Sequence, residues 1–402
     1  MEAINGTVAC RSALENLKIL DFTTLLPGPY ATLMLADLGA EVLKISSKSK
    51  LDLVYEIGEK DRDLGLNANQ LWLNRNKKTM SLNLKNPKAI EIVKELIREY
   101  DIVFEQFRPG VMDKLGLSYD TLSRINPRLI YCSISSYGNT GPLKDVAGHD
   151  INFLAKSGLL SVSGRKNEGP SLMSTQLGDI AGGALHSVIG VLAAVNYRNI
   201  TGKGQYIDIS MLDTIIPMNS FEGADYLLNG GKKVREGFEL NGGGIYDIYE
   251  TSDKEYLTIG SLEPKFLKEL SIAVDMPELI DAGATPKDNG VLKNRLKELI
   301  KAKPMSYWLE KFEGLDACIE KVLDFEEAFE KEPQIKQRDM IVDVDAGIKT
   351  VRQFAMPIKL SECKVEYRHA GRQIGYDTNA ILKGLDYSDD EIDRLSGYGV
   401  FD

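Results

Sequence analysis

The chain has 402 residues, 43 % of them hydrophobic and 27 % charged, a length that divides into two domains or one large domain with a substantial insertion, and a composition that excludes disordered and fibrous architectures. A formal net charge of −10, with no extended run of Lys and Arg, excludes nucleic-acid binding by general electrostatics. Cys10, Cys132, Cys318 and Cys363 lie far apart with no CxxC pair, which argues against a disulfide framework and a zinc site and fits a reducing cytosol.

The opening MEAINGTVACRSALENLK places polar and charged residues where a signal peptide needs an unbroken apolar stretch. No later segment offers ~18 uninterrupted apolar residues, so a cytoplasmic location without a membrane partner is expected. Leu17 to Phe22 reads as a strand, YATLMLADLG as a helix launched by Pro27-Gly28-Pro29 and ended by Gly39, and Glu41 to Ile45 as the next strand. The rhythm repeats with a strand from Met80 to Leu84, an amphipathic helix from Pro87 to Tyr100, a strand from Asp101 to Gln106, a helix through Leu122 and a strand from Leu129 to Ser135. Such alternation implies a parallel sheet covered by helices, an α/β fold.

From Asn152 to Tyr197 the pattern is mostly helical, with the apolar stretch Ile180 to Tyr197 reading as a buried helix. A strand from Gln205 to Ser210 and a long helix to about Leu228 follow. Glycines cluster at 229–231 and 241–244 and regular periodicity stops. The expected division is a large domain of residues 1–228 plus about 340–402, with a smaller α+β lobe at 229–339. Inside the smaller lobe, Gly244 to Tyr249 and Glu255 to Gly260 read as a hairpin, and helices fill Pro264 to about Lys331. A strand near Gln353 to Leu360 and a helix from Ser388 to Leu395, capped by Ser388 or Asp389, complete the chain.

The chemistry-bearing residues are few. No GxGxxG follows the first strand, no GxxxxGK[ST] occurs, and only three histidines are present without HExxH, so a classical dinucleotide site, a P-loop and a catalytic metal are all unsupported. Gly148-His149-Asp150 stands at an expected helix start, where backbone N–H groups and the helix dipole favour negative charge. Taken alone, Asp150 reads as a cap. Asp179, in Leu177-Gly178-Asp179-Ile180-Ala181-Gly182-Gly183, reads as a helix N-terminal charge followed by residues small enough for a close approach. Arg75, Lys77, Lys78, Lys85, Arg108 and Lys114 lie near strand ends, where ligands bind in open α/β sheets; they are either solvated charge or a clamp for phosphates.

Four long segments, DFTTLLPGPYATLMLADLGAEVLKI, LNRNKKTMSLNLK, DIVFEQFRPGVMDKLGLSYDTLSRINPRLIYCSISSYGNTGP and AGHDINFLAKSGLL, closely resemble the class III coenzyme A transferase family, which includes the α-methylacyl-CoA racemases. The resemblance implies a Rossmann-like large lobe, a smaller lobe, a C-terminal return to the large lobe and two chains interlocked as a homodimer. It also implies an acyl-CoA substrate, with no cofactor beyond the CoA moiety.

Transferases of the family use an aspartate nucleophile, matched here by Asp150, that forms a mixed anhydride and then an aspartyl-CoA thioester. Racemases carry a His directly before that Asp and a second Asp further on, matched by His149 and Asp179, as the acid–base pair for 1,1-proton transfer through an enolate. The resemblance gives Glu263 the task of orienting His149, and gives Asp150 a hydrogen bond to Asp179 that lets the two carboxyls share a proton. Backbone N–H groups around Asp150 and Ile151 are suitably placed in sequence to receive the enolate oxygen. Arg75, Leu82, Leu84, Lys85, Arg108, Lys114 and Gly148 would line the CoA site. Ser47 stands where related racemases often carry an Arg, and Phe153 where a Tyr is common. The expected function is racemisation of 2-methylacyl-CoA thioesters. The alternatives are CoA transfer between carboxylic acids through Asp150, and a non-catalytic acyl-CoA-binding protein that would have no use for the His/Asp/Glu set.

Overall fold

A computed structural model describes residues 12–50, 52–288 and 290–401; Cys10 and most of the segment weighed as a signal peptide lie outside them. The chain divides into two compact units, the first made of Met1–Phe153, Thr175–Ile215 and Gln337–Asp402, the second of Leu154–Ser174 and Ile216–Lys336.

The first unit is built on six strands, β1 (Lys18–Asp21), β2 (Glu41–Ser46), β3 (Lys78–Ser81), β4 (Ile102–Glu105), β5 (Ile130–Ser135) and β6 (Tyr206–Ser210). They form one sheet in the order β3-β2-β1-β4-β5-β6. Every pairing is parallel, with Leu20 opposite Leu43 on one side and Val103 on the other. That order is the doubly wound one, with its switch point between β1 and β4. Alternation along each strand sends Ile19, Val42, Ile102 and Cys132 into one apolar layer and Leu20, Leu43, Val103 and Tyr131 into the other, so both faces are covered and the strands read as continuous apolar runs.

The helix over Ile180 to Tyr197 proves one-sided. Val188, Val191 and Ala194 are in the core while Ile189, Tyr197 and Ile200 are exposed. Upstream of it, 163–176 is not helical, contrary to the sequence expectation: its Ser, Gly, Asn and Pro residues favour turns over a helix.

The C-terminal segment of the first unit carries the antiparallel pair β10 (Ile341–Asp345) and β11 (Thr350–Phe354) and the helices Thr378–Gly384 and Asp389–Gly397. It is fastened to the N-terminal part by main-chain bonds, with Asn76 N–H donating to His369 O at 3.0 Å and Asp377 N–H to Thr79 O at 3.0 Å. Ser388 is the N-cap of the last helix, in a reciprocal capping box with Glu391.

In the second unit β7 (Asp247–Glu250), β8 (Tyr256–Ile259) and β9 (Ile319–Lys321) form an antiparallel sheet. It shares a core of Tyr249, Leu257, Ile259, Leu267, Leu270, Leu296 and Trp308 with the helices Pro264–Ala273, Val291–Lys301 and Met305–Phe312. The unit begins at Ile216 rather than Asn229 and also takes Leu154–Ser174. The reason is electrostatic: Arg165 pairs with Glu236 at 3.0 Å and Asp247 at 2.6 Å, and Lys166 N–H donates to Glu236 at 2.8 Å. The glycine clusters taken as the boundary are loops inside this unit.

Candidate functional site

The residues singled out in the first unit follow the carboxyl ends of its strands. Ser47 comes after β2, Leu82 to Lys85 after β3, Gln106 to Lys114 after β4 and Gly148 to Asp150 after β5, while Thr23 to Leu26 form the turn after β1 that leads into the helix Pro27–Asp37. β3 and β4 stand three inter-strand steps apart, roughly 14 Å at the usual spacing, a span suited to an extended ligand. The turn after β1 is firmly built. Leu25 takes a positive φ of 61°, unfavourable for its side chain, and its N–H donates to both carboxylate oxygens of Asp52 at 2.9 Å. Gln106 accepts from Gly28 N–H at 3.1 Å.

Asp150 and Asp179 come together. Asp150 opens the helix Asp150–Lys156, and its Oδ1 accepts from the N–H of Gly178 at 2.5 Å and of Asp179 at 3.3 Å, first-turn donors of the helix that carries Asp179. The expected link between the two aspartates therefore runs through the main chain of Gly178 and Asp179. A glycine at 178 allows this close approach, since a Cβ there would lie 3.0 Å from Asp150 Oδ1 and 3.1 Å from the Phe153 ring, tight enough to push either neighbour aside. Burial first, and the Asp150 charge second, push the Asp179 carboxyl up to about 7. Asp150 is also raised by burial, against the two N–H groups that favour its ionised form.

His149 is exposed directly before Asp150, at the position that caps the helix. Its carbonyl accepts from Asn152 N–H at 2.8 Å, and its own N–H donates to Asn152 Oδ1 at 3.0 Å. Asn152, which fixes this backbone, has a place in the sequence only as the start of a helical stretch, although the H-x-x-N spacing puts it one turn after His149. Behind it Tyr137 and Phe153 pack edge to face at 5.6 Å. Gly148 lies against both rings, its missing Cβ 2.7 Å from Tyr137 Oη and 2.8 Å from the Phe153 ring.

Asp179 lies on a π-helical segment, Gly178–Leu185, that continues as the α-helix His186–Thr201. Gly182 and Gly183 press it against the start of the helix after β1 and the chain after β6; a Cβ on Gly183 would sit 2.7 Å from Pro27 Cβ, and one on Gly182 2.7 Å from Thr214 Oγ1. The small residues noted in the sequence thus seat the helix against protein.

The basic cluster splits. Arg75 is 1 % exposed, with its guanidinium on Asp37 at 2.5 and 3.1 Å and on Phe354 O at 2.8 Å. Lys77 is fully buried and joins Lys44 in pairing Asp21, at 3.3 and 3.4 Å. Burial disfavours the Asp21 charge, but the two ammonium groups with Thr23 and Thr32 hold its carboxyl well below the usual range. The expectation that Arg75 clamps phosphate is therefore corrected: its fork is already occupied by Asp37 and a carbonyl. The Leu82 side chain is likewise buried at 1 % exposure, Leu84 is partly buried and packed on the core, and Lys85, Arg108 and Lys114 are exposed.

Arg108 lies on a groove of about 630 Å³ with Lys144, Asn139, Tyr119, Tyr131, Tyr206 and Glu105. Burial pushes Glu105 up to about 7, against hydrogen bonds from Ser133 and Phe107 N–H; this second near-neutral carboxyl was not anticipated, although it stands in the same EQFRPG stretch as Arg108. Glu263 belongs to the second unit, where it is exposed at the N-cap of the helix Pro264–Ala273 and makes no side-chain cap bond. The orienting role given to it rests on the resemblance alone.

Comparison with known proteins gives the family. A sequence profile described as CoA-transferase family III matches residues 14–378. The chain is 31 % identical to human alpha-methylacyl-CoA racemase, over 96 % of this chain and 96 % of the relative. It is 33 % identical to human succinyl-CoA:glutarate CoA-transferase, over 97 % and 90 %. A CAIB/BAIF family protein from Brucella suis superposes with a TM-score of 0.82 at 27 % identity, covering 94 % of this chain and 100 % of that one. With a profile match across most of its length and relatives above 30 % identity over nearly all of it, the chain belongs to CoA-transferase family III.

Proposed function

We propose that this enzyme racemises 2-methylacyl-CoA thioesters by 1,1-proton transfer, with His149 and Asp179 as the acid–base pair. The observation that carries the reading is the Asp179 carboxyl, held near 7 by burial and by Asp150: a group titrating at the working pH can take the α-proton in one half of the cycle and return one in the other. His149 supplies the second group, an imidazole, the side chain suited to both roles near neutrality. Asp150 keeps its carboxylate on two main-chain N–H groups, where it raises its neighbour and anchors the helix on which that neighbour stands. The thioester carbonyl makes the α-proton acidic, and the CoA moiety gives the exposed Arg108 an anion to hold.

CoA transfer through Asp150 is the second reading, supported by the 33 % identity to succinyl-CoA:glutarate CoA-transferase and by the half-buried position of the Asp150 carboxylate. The two readings separate on variants. His149→Ala is expected to lose α-proton exchange by a factor of about 100 or more while acyl-CoA still binds. Hydroxylamine should trap no Asp150 adduct from wild-type enzyme incubated with acyl-CoA; a trapped aspartyl hydroxamate that disappears in Asp150→Ala would establish the transferase instead. In keeping with the family, we also propose a homodimer in the cytoplasm, which requires no cofactor beyond the CoA of its substrate. Support for self-association comes from the helix Ser220–Asn229 of the second unit, where Phe221, Leu227 and Leu228 are 64, 85 and 83 % exposed, an apolar face of the kind that marks protein contacts.

A further inference from the structure

His186 has no part in the chemistry above, yet it sits where the helix carrying Asp179 changes pitch. Gly178–Leu185 is π-helical and His186–Thr201 is α-helical. A π-turn closes to the fifth residue back rather than the fourth, so the change of pitch disturbs the pairing of carbonyls at the junction. Here the backbone N–H of His186 donates to Gly183 O. Its ring Nδ1 lies 2.7 Å from Ala181 O. A carbonyl oxygen can only accept, so Nδ1 carries the hydrogen and a neutral ring leaves Nε2 as the acceptor. The imidazole thus acts on the backbone of its own helix, giving a carbonyl inside the π-segment a donor from the α-segment.

We propose that His186 is a positioning residue that locks the π-register of Gly178–Leu185 and so holds Asp179 against the Asp150 carboxylate. The α-helical part cannot adjust. Ser187 Oγ donates to Gly183 O at 2.6 Å, and Val188, Val191 and Ala194 are packed in the core. If the junction relaxed to α geometry, the N-terminal part would therefore rotate, and a slip of one residue turns a helix by about 100°. Asp179, next to the Gly178 N–H on which Asp150 is fastened, would leave its place beside that carboxylate. Its proton affinity rests on burial and on Asp150, and both would change with the register.

The inference builds on the acid–base reading only for its kinetic consequence; its structural content is read separately. The wild-type protein, with its histidines labelled with nitrogen-15, should show His186 with the hydrogen on Nδ1; a ring carrying it on Nε2 would overturn the proposal without any variant. In His186→Leu the Asp179 carboxyl, followed by carbon-13 resonance and assigned through Asp179→Asn, should titrate at least about one pH unit below wild type. The kcat of α-proton exchange should fall about tenfold or more with KM within about twofold. His186→Asn, whose side-chain amide can offer an N–H to the same carbonyl, should restore both. A folded Leu variant whose Asp179 titrates as in wild type would overturn the proposal even if its activity were lost. Absence of exchange in wild type would count against the acid–base reading and leave the titration to decide the role of His186.

Discussion

At the scale of single residues, the two aspartates owe their difference to surroundings. Asp150 meets N–H donors that favour its charge, whereas Asp179 meets burial and a neighbouring carboxylate that oppose it. A carboxyl raised on folding binds a proton more tightly in the native state. Its stabilising contribution is complete below the ordinary carboxylate range and declines as pH rises from there through about 7. A shift of that size corresponds at most to about 4 kcal/mol, and partial exposure brings the effect to the order of 2 kcal/mol. Asp179→Asn should therefore raise Tm relative to wild type by more at pH 8 than at pH 5, with the difference shrinking as pH falls toward the ordinary carboxylate range; an equal difference at both pH values would remove the shift. Glu105, also near 7, keeps part of the decline in the variant. Asp150 and Asp179 were legible because the motifs around them are local. The fates of Arg75 and Lys77 were not, since Asn74 to Lys78 reads as surface charge until the fold brings Asp37 and Asp21 to it.

At the scale of elements, the strands and helices of the parallel sheet were readable because burial on both faces writes continuous apolar runs separated by amphipathic helices. What escaped was short or weakly patterned. β9 has three residues, none of them buried; β10 buries only Val344; and the helix Thr378–Gly384 is small and preceded by no clear boundary. The expected long helix to Leu228 breaks instead into Met211–Ile215, a 3₁₀ turn at Ile216–Asn219 and Ser220–Asn229, where Pro217 cannot continue the α pattern. β11 is held by the buried Arg75, which bonds Gln353 and Phe354 O. Arg75→Ala takes from the buried Asp37 its ion-pair partner, leaving the Asn76 amide as a donor to it, and should cost ~3–5 kcal/mol of stability. Arg108→Ala, at an exposed position, should leave Tm unchanged and weaken acyl-CoA binding about tenfold. Calorimetric melting and a binding titration on both variants check the pair; weakened binding without destabilisation in Arg75→Ala would reverse their assignment.

For the whole molecule, the carboxyl-edge placement of the site follows from the strand order, which the sequence implied only through alternation and resemblance. The unit boundary was misplaced because the chain leaves the first unit at Ile215 without a glycine or a change of composition, and the contacts that recruit 154–174 to the second unit are ion pairs between residues far apart in sequence. The apolar face of Ser220–Asn229 bears on assembly: light scattering should give twice the chain mass, and Leu227→Glu with Leu228→Glu should lower it, whereas a monomeric wild type would contradict the dimer. Proton transfer at the α-carbon is measured most directly by deuterium incorporation into one enantiomer of a 2-methylacyl-CoA in heavy water without any acceptor acid. Racemisation through His149 and Asp179 should give deuterium at the α-carbon together with loss of optical purity. A bound thioester that keeps both its α-proton and its configuration would rule out racemisation and leave Asp150 as a nucleophile awaiting an acceptor.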